Sequence, residues 1–289
     1  MQEPNRFDYS PIVGRPRLTL PDGARVAVWV IPNVEHFLFD RPSTSITAVT
    51  TGLVPDVLNY SWRDYGPRVG FWRMLDVMNK HGIRGTAALN SDVCGFYPQL
   101  IQAGNESGWE WMAHGRNNSQ MVTRMEEEEE RELIRHVIDT IHQASGTRPR
   151  GWLSPALSET VNTPDLLAEA GIEYTANWVN DEQPYPMKVK QGTLTSLPYA
   201  IEINDIPAFL DLKQSGEQFA KMICDTFDVL HEDAQHGARV MAISIHPFLI
   251  GHPHRSKPFD RALQYIRDKG DVWFATGSEI LDWYQAQRV

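Results

Sequence analysis

Titratable residues of this chain gather where apolar runs stop. Asn33-Val34-Glu35-His36 follows "VAVWVIP", and His114-Gly115-Arg116-Asn117-Asn118 follows "WEWMA". Ile245-His246-Pro247 follows "VMAIS", and the polar stretch from Asn177 to Tyr185, which includes Asp181, follows a short run near Tyr174. A carboxylate and two histidines converging on one place would suit general acid–base work. Taken singly, each residue has an ordinary structural explanation. Glu35 could sit at a helix start, His114 at a glycine turn, and His246 half-buried before a proline. The recurrence at four run ends is what points to function. His252 and His254, later in "HPFLIGHPHR", are expected on the rim.

Several other chemistries find no support. There is no glycine-rich phosphate loop, no GxSxG elbow and no HExxH. The two cysteines, Cys94 and Cys224, have no CxxC spacing, and reduced thiols are expected.

The elements that must position these residues alternate along the chain. The β-branched run over 25–31 predicts a buried strand after the turn signal Pro21-Asp22-Gly23. A helix is predicted over 69–82, with Phe71, Leu75 and Met78 on one face and Gly82 as its stop. "IRGTAAL" and "WEWMAH" read as strands. Thr123 and Glu126 fit a capping box ahead of a helix, and the acidic run over 126–130 reads as its solvated start. Further on come a helix over 164–170, a strand over 173–176 and a helix over 217–233. The strand "ARVMAISIH", the helix "PFDRALQYIRDKG", the strand "DVWFAT" and a final helix complete the order. This alternation argues for a parallel α/β sheet or barrel, whose ligands bind at the carboxyl ends of the strands. No long linker divides the chain, so one domain over 1–289 is expected.

Of the 289 residues, 42% are apolar and 22% charged, enough for a large core. The net charge of −10 opposes binding to nucleic acid or to an anionic membrane. The amino-terminal stretch lacks an apolar signal core, and no apolar run approaches the ~20 residues of a membrane span. A cytoplasmic location and a small-molecule substrate are the expectation. Aromatic-bearing loops such as "LNYSWRDYG" would suit an interface in a homo-oligomer.

Together these stretches resemble the polysaccharide deacetylase family (NodB homology, carbohydrate esterase family 4), and within it the metal-independent allantoinase-like branch. The resemblance runs from about residue 17 to 283. It rests on "DYGPRVGFWRMLDVMNKHGI" over 64–83, on His114-Gly115, Gly151-Trp152, Asn180-Asp181 with Pro184-Tyr185, and on His246 with the "LIG" that follows. It implies a single distorted (β/α)7-type barrel and hydrolysis of a carbon–nitrogen bond other than a peptide bond, in a cyclic ureide or amide. Glu35 matches the family's base and His36 its first metal-ligand position. His114 keeps one histidine of the second motif, Asn118 replaces the other, and Leu153 stands where an arginine steers the base. An amide oxygen is a poor substitute for imidazole on zinc, so no cofactor is expected.

On this resemblance Glu35 activates water, and its apolar surroundings should raise its pKa toward working pH. His246 is the acid, and His114 positions water or substrate. Asn118, Trp152, Asp181 and Tyr185 hold the substrate, and the loop over 41–52 shapes the pocket. Two rivals stand beside this reading. One is a metal-dependent N-acetyl sugar deacetylase with zinc on His36 and His114. The other is a non-catalytic binding protein on the same barrel.

Overall fold

The computed structural model describes residues 5–287. Its strands are β1 Val26–Val34, β2 Thr86–Leu89, β3 Glu110–Ala113, β4 Gly151–Trp152, β5 Tyr174–Thr175, β6 Tyr185–Met187, β7 Leu194–Ser196, β8 Arg239–Ile245 and β9 Val272–Phe274. Its α-helices are α1 Val57–Tyr65, α2 Phe71–Lys80, α3 Ser91–Phe96, α4 Pro98–Glu106, α5 Glu127–Ser145, α6 Thr163–Glu169, α7 Gly216–Asp233, α8 Pro247–Ile250, α9 Pro253–Lys269 and α10 Gly277–Ala286. The strands form one sheet in the order β6-β7-β5-β4-β3-β2-β1-β8, with β9 also paired to β1. Pairing is parallel except between β6 and β7. The sheet curls into a half-barrel.

β1 is buried along its whole length, as a strand covered on both faces must be. Side chains alternate between the faces. Val26, Val28, Val30 and Val34 join the core under the helices, together with Met241, Ile243 and Ile245 of β8. Ala27, Trp29 and Ile31 face the barrel interior, with Val240 and Ala242 of β8, Ala88 of β2 and Met112 of β3. The same alternation carries one residue past each strand end into the interior: Glu35 after β1, Asn90 after β2, His114 after β3 and His246 after β8. Asn33 Nδ2 and Ser244 Oγ, 2.9 Å apart, mark the shared interior level just below Glu35 and His246.

Sequence "YGPRVGFWR" has a packing reason. Gly66–Gly70 forms a π-helical turn between α1 and α2. A Cβ on Gly70 would collide with the Pro247 carbonyl, and one on Gly251 would collide with the Gly70 backbone. Backbone therefore meets backbone where this turn docks against α8, the short helix that begins just after His246.

Several expectations are corrected. The capping box at Thr123 does not form: α5 starts after Glu126 without a side-chain cap. The acidic run is not wholly solvated. Glu130 is buried and accepts hydrogen bonds from the hydroxyls of Thr160, at 2.5 Å, and Thr163, tying α5 to the start of α6. Trp152 is fully buried on the helix side of the sheet, not on the barrel side, and its Nε1 donates to Ser154 Oγ at 2.8 Å. It is a core residue. Trp152→Ala should cost about 3–5 kcal/mol in denaturant unfolding, the usual cost of emptying a large core site. KM of the folded fraction should not change.

Candidate active site

Glu35, His114, Asn118 and His246 come together at the carboxyl ends of β1, β3 and β8, all buried. Glu35 Oε1 lies 3.3 Å from His114 Nε2 and 3.6 Å from His246 Nε2, and accepts a hydrogen bond from Asn118 Nδ2. Glu35 Oε2 is buried and has no partner. An unpaired buried carboxylate oxygen is costly and calls for an explanation, and a role toward a bound molecule supplies one.

Each surrounding group is oriented by a further contact. His114 Nδ1 lies 2.6 Å from the Leu153 carbonyl oxygen, so it carries the proton that makes that bond. Asn90 is fully buried. Its Nδ2 donates to Asn118 Oδ1 at 3.0 Å, and its Oδ1 accepts the His36 backbone N–H at 2.9 Å. With Asn118 Oδ1 so engaged, its NH₂ must face Glu35. His246 Nδ1 lies 2.6 Å from Asp205 Oδ1, and the His246 backbone N–H donates to Asp205 Oδ2 at 2.9 Å. The segment before Asp205 runs beside β8, with Asn204 bridged to Ser244, and this registers Asp205 against His246.

Electrostatics reverse the expectation for Glu35. Burial does push its carboxyl up, but the charge of His246 and the polar contacts with His246 and His114 outweigh it and hold it at about 2. His246 is lowered by burial yet raised overall to about 10, because the carboxylates of Glu35 and Asp205 flank it. Asp205 is pushed up by its burial, against the opposing charge and hydrogen bonds of His246. One imidazolium thus stands between two carboxylates. Asp205→Asn removes one of them and should move the alkaline limit of activity down from about 10 toward the ordinary histidine value of 6.5. A pH–rate profile reads this directly, and an unmoved limb would leave Asp205 a packing residue.

The remaining predicted residues lie elsewhere. Asp181 is held by Arg15 at 2.8 and 2.6 Å. Tyr185, on β6, donates to Asn180 Oδ1 at 2.8 Å. Both line a separate cavity of about 1370 Å³ whose lining includes neither Glu35, His114, Asn118 nor His246. After β5 the chain leaves the strand ends to build the antiparallel β6–β7 pair, and it takes these residues with it. The space at Glu35 itself is a niche of about 10 Å³, lined by Glu35, Asn33, Arg63, Pro247 and Phe248 among others. That is room for about one water. Of the titratable constellation only Glu35 lines this niche, and none of it lines the large cavity. His252 is stacked on Tyr65 at 4.1 Å, and burial and the nearby Arg255 lower it to about 4.

Asn90 and Asp205 were missed by sequence reasoning. Asn90 directly follows "TAAL", so applying the strand-end rule to β2 would have found it. Asp205 follows no strand run and left no comparable signal.

A curled parallel α/β sheet with a carboxylate and two histidines at its strand ends is the frame of a hydrolase. The comparisons with known proteins agree. The polysaccharide deacetylase family model matches residues 60–175. A Schizosaccharomyces pombe protein named as a candidate polysaccharide deacetylase is 27% identical over 304 aligned residues, covering 92% of each chain. The crystal structure of a candidate polysaccharide deacetylase from Pseudomonas aeruginosa superposes with a TM-score of 0.86 at 25% identity, covering 96% of this chain and 98% of that one. The crystal structure of PuuE allantoinase shares the fold, with a TM-score of 0.85 at 24% identity over 98% and 99% of the two chains. The polysaccharide deacetylase model thus matches part of this chain, and the comparisons support a hydrolase acting on carbon–nitrogen bonds.

The family's usual divalent metal does not fit these donors. The His36 ring stacks on Phe96 at 4.2 Å, and no contact joins it to Glu35 or His114 among those the described residues make. The His36 and His114 rings therefore offer no paired ligand set. Asn118 presents a donor, not an acceptor, to the site. Among the described residues no three His, Cys, Asp or Glu side chains are grouped to hold an ion. Nor does any described helix have the length and apolarity to cross a membrane.

Proposed function

We propose that the chain is one catalytic domain that hydrolyses an amide-type C–N bond in a small cyclic ureide or amide, met in the cytoplasm. The observation that carries this reading is buried Glu35, whose Oε1 lies between His114 and a carboxylate-flanked His246 while its Oε2 is left without a partner. Enclosure favours a small substrate over a sugar polymer, which would need an open groove. Admission requires the loop over 39–56 to move, because it closes on the site through Ser43, whose hydroxyl donates to the Asn118 carbonyl at 3.0 Å.

Water held between His114 Nε2 and Glu35 Oε2 gives a proton to Glu35 as its oxygen bonds to the carbonyl carbon. The carbonyl π pair moves onto oxygen. On collapse the C–N bond breaks, and nitrogen keeps the pair and takes the Nε2 proton of His246. The proton on Glu35 then passes to His246, and the carboxylic acid product gives its own to solvent or to the new amine. A carboxylate held at about 2 is a weak base alone. As His246 loses its charge, however, the largest force holding Glu35 down disappears, so the two transfers assist each other.

The test is a side-by-side screen of cyclic ureides such as hydantoins, of lactams and of N-acetylglucosamine oligomers, each with and without chelator. Ring opening of a ureide or lactam that survives chelation is expected. Deacetylation of the oligomers, abolished by chelation and restored by zinc, would replace this reading with the metal-dependent one.

A further inference from the structure

Arg63, on the last turn of α1, is 3% exposed, yet among the described residues no carboxylate lies within 4.0 Å of its guanidinium. It makes one hydrogen bond, from an Nη to the Thr44 carbonyl oxygen at 2.6 Å, and its Nε is buried without a partner. The face of Phe37 lies 5.0 Å from its central carbon. A guanidinium carries five N–H donors, and burying one nearly unpaired is expensive. Buried charges are ordinarily paired, so the arrangement is short of an anionic or carbonyl oxygen. Arg63 lines the same water-sized niche as Glu35. Glu35 does not fill the need, because its close contacts are to Asn118, His114 and His246.

We propose that Arg63 is the oxygen-binding cation of this site. It takes the carbonyl oxygen of the scissile group and then holds the carboxylate left by hydrolysis. This rests on the C–N hydrolase reading, and it supplies what that reading otherwise lacks. When water adds, negative charge develops on the carbonyl oxygen, and a preorganised positive group in a water-poor pocket is the strongest available means of stabilising it. The donor set does not suit a metal, and His246 is committed to Glu35 and Asp205, which leaves Arg63 as a cation beside Glu35 that, among the described residues, has no carboxylate within 4.0 Å. Its planar fork matches a carboxylate with two parallel hydrogen bonds.

The ordinary alternative is that Arg63 only tethers the loop over 39–56 through Thr44. Asn59 provides the control. It is fully buried and holds the same loop, accepting from the Ile46 N–H at 3.0 Å and donating to the Thr44-proximal Thr47 carbonyl at 3.1 Å, with no hydrogen bond to the guanidinium.

Acetate and N-carbamoylglycinate, carboxylate products of the two substrate classes, serve as probes in calorimetric titrations of the full chain. The parent should bind at least one saturably. Arg63→Met should weaken that binding about 10–100-fold, the usual worth of charged hydrogen bonds. Arg63→Lys, which keeps the charge and is the variant better able to fold, should weaken it about tenfold because the fork is lost. Asn59→Ala should loosen the loop in hydrogen exchange while binding stays within about threefold of the parent, since a site removed from a contact adds little. A parent that binds neither probe, Arg63 variants that bind as the parent does, or Asn59→Ala losing binding as fully as Arg63→Met would each overturn the proposal. Carboxylate binding that depends on Arg63 in a protein that opens no ureide or lactam would instead leave this site standing and remove the substrate assignment.

Discussion

Glu35→Gln should lower turnover about 10²–10⁴-fold, the range for loss of a positioned general base. Glutamine keeps the shape and can still accept from Asn118, so KM should change far less than kcat. The substitution also removes one of the two carboxylates that flank the His246 cation. Because the folded carboxyl is held at about 2 against an ordinary 4.5, its stabilising contribution is fully present above 4.5 and is lost as pH falls through about 2. Tm of the variant should therefore fall below the parent's at neutral pH, and the gap should narrow as the pH drops below 4.5. This differs from the outcome for a carboxylate merely stranded in apolar surroundings, whose removal would raise Tm. Near-parental turnover on the substrate identified by the screen would make Glu35 structural and void the mechanism.

The second large effect is expected at His246. His246→Gln removes the acid that protonates the leaving nitrogen and should also cost about 10²–10⁴-fold in turnover. The parent should hold constant activity through neutral pH and decline toward pH 10, where the imidazolium titrates. The variant should lack that alkaline limb. Stability follows the same sign. A histidine raised from 6.5 to about 10 contributes fully below 6.5 and loses that contribution as pH rises through about 10. Combined with Glu35→Gln, the two losses should be far less than additive, because each assists the other's proton transfer. Full additivity would show that the two residues act in separate steps.

Read by itself, the sequence was enough to locate the strand-end histidines and Glu35. Long apolar runs such as "VAVWVI" and "VMAISI" can only be buried strands, and a parallel sheet puts chemistry at their carboxyl ends. The alternation of strands and helices and the departures at Asn118 and Leu153 were legible in the same way, since they depend on local pattern and position.

What the tertiary structure decided was which face each side chain took and what it met there. β1 is apolar on both faces, so nothing local distinguishes Glu35 from His36, although one points into the barrel and the other stacks on Phe96. Trp152 was read on the wrong face for the same reason. Asp181 and Tyr185 follow β5 in sequence, but the β6–β7 pair carries them away from the strand ends. Asp205 lies 41 positions before His246 in an irregular segment and becomes its partner only through a bridge to β8. The direction of the Glu35 shift also could not be read locally. Apolar neighbours in sequence argue for a raised value, whereas two histidines brought in from distant strands supply the opposing charge and polar contacts. Burial and periodicity are properties of a segment, but an electrostatic field is a sum over everything the fold brings near.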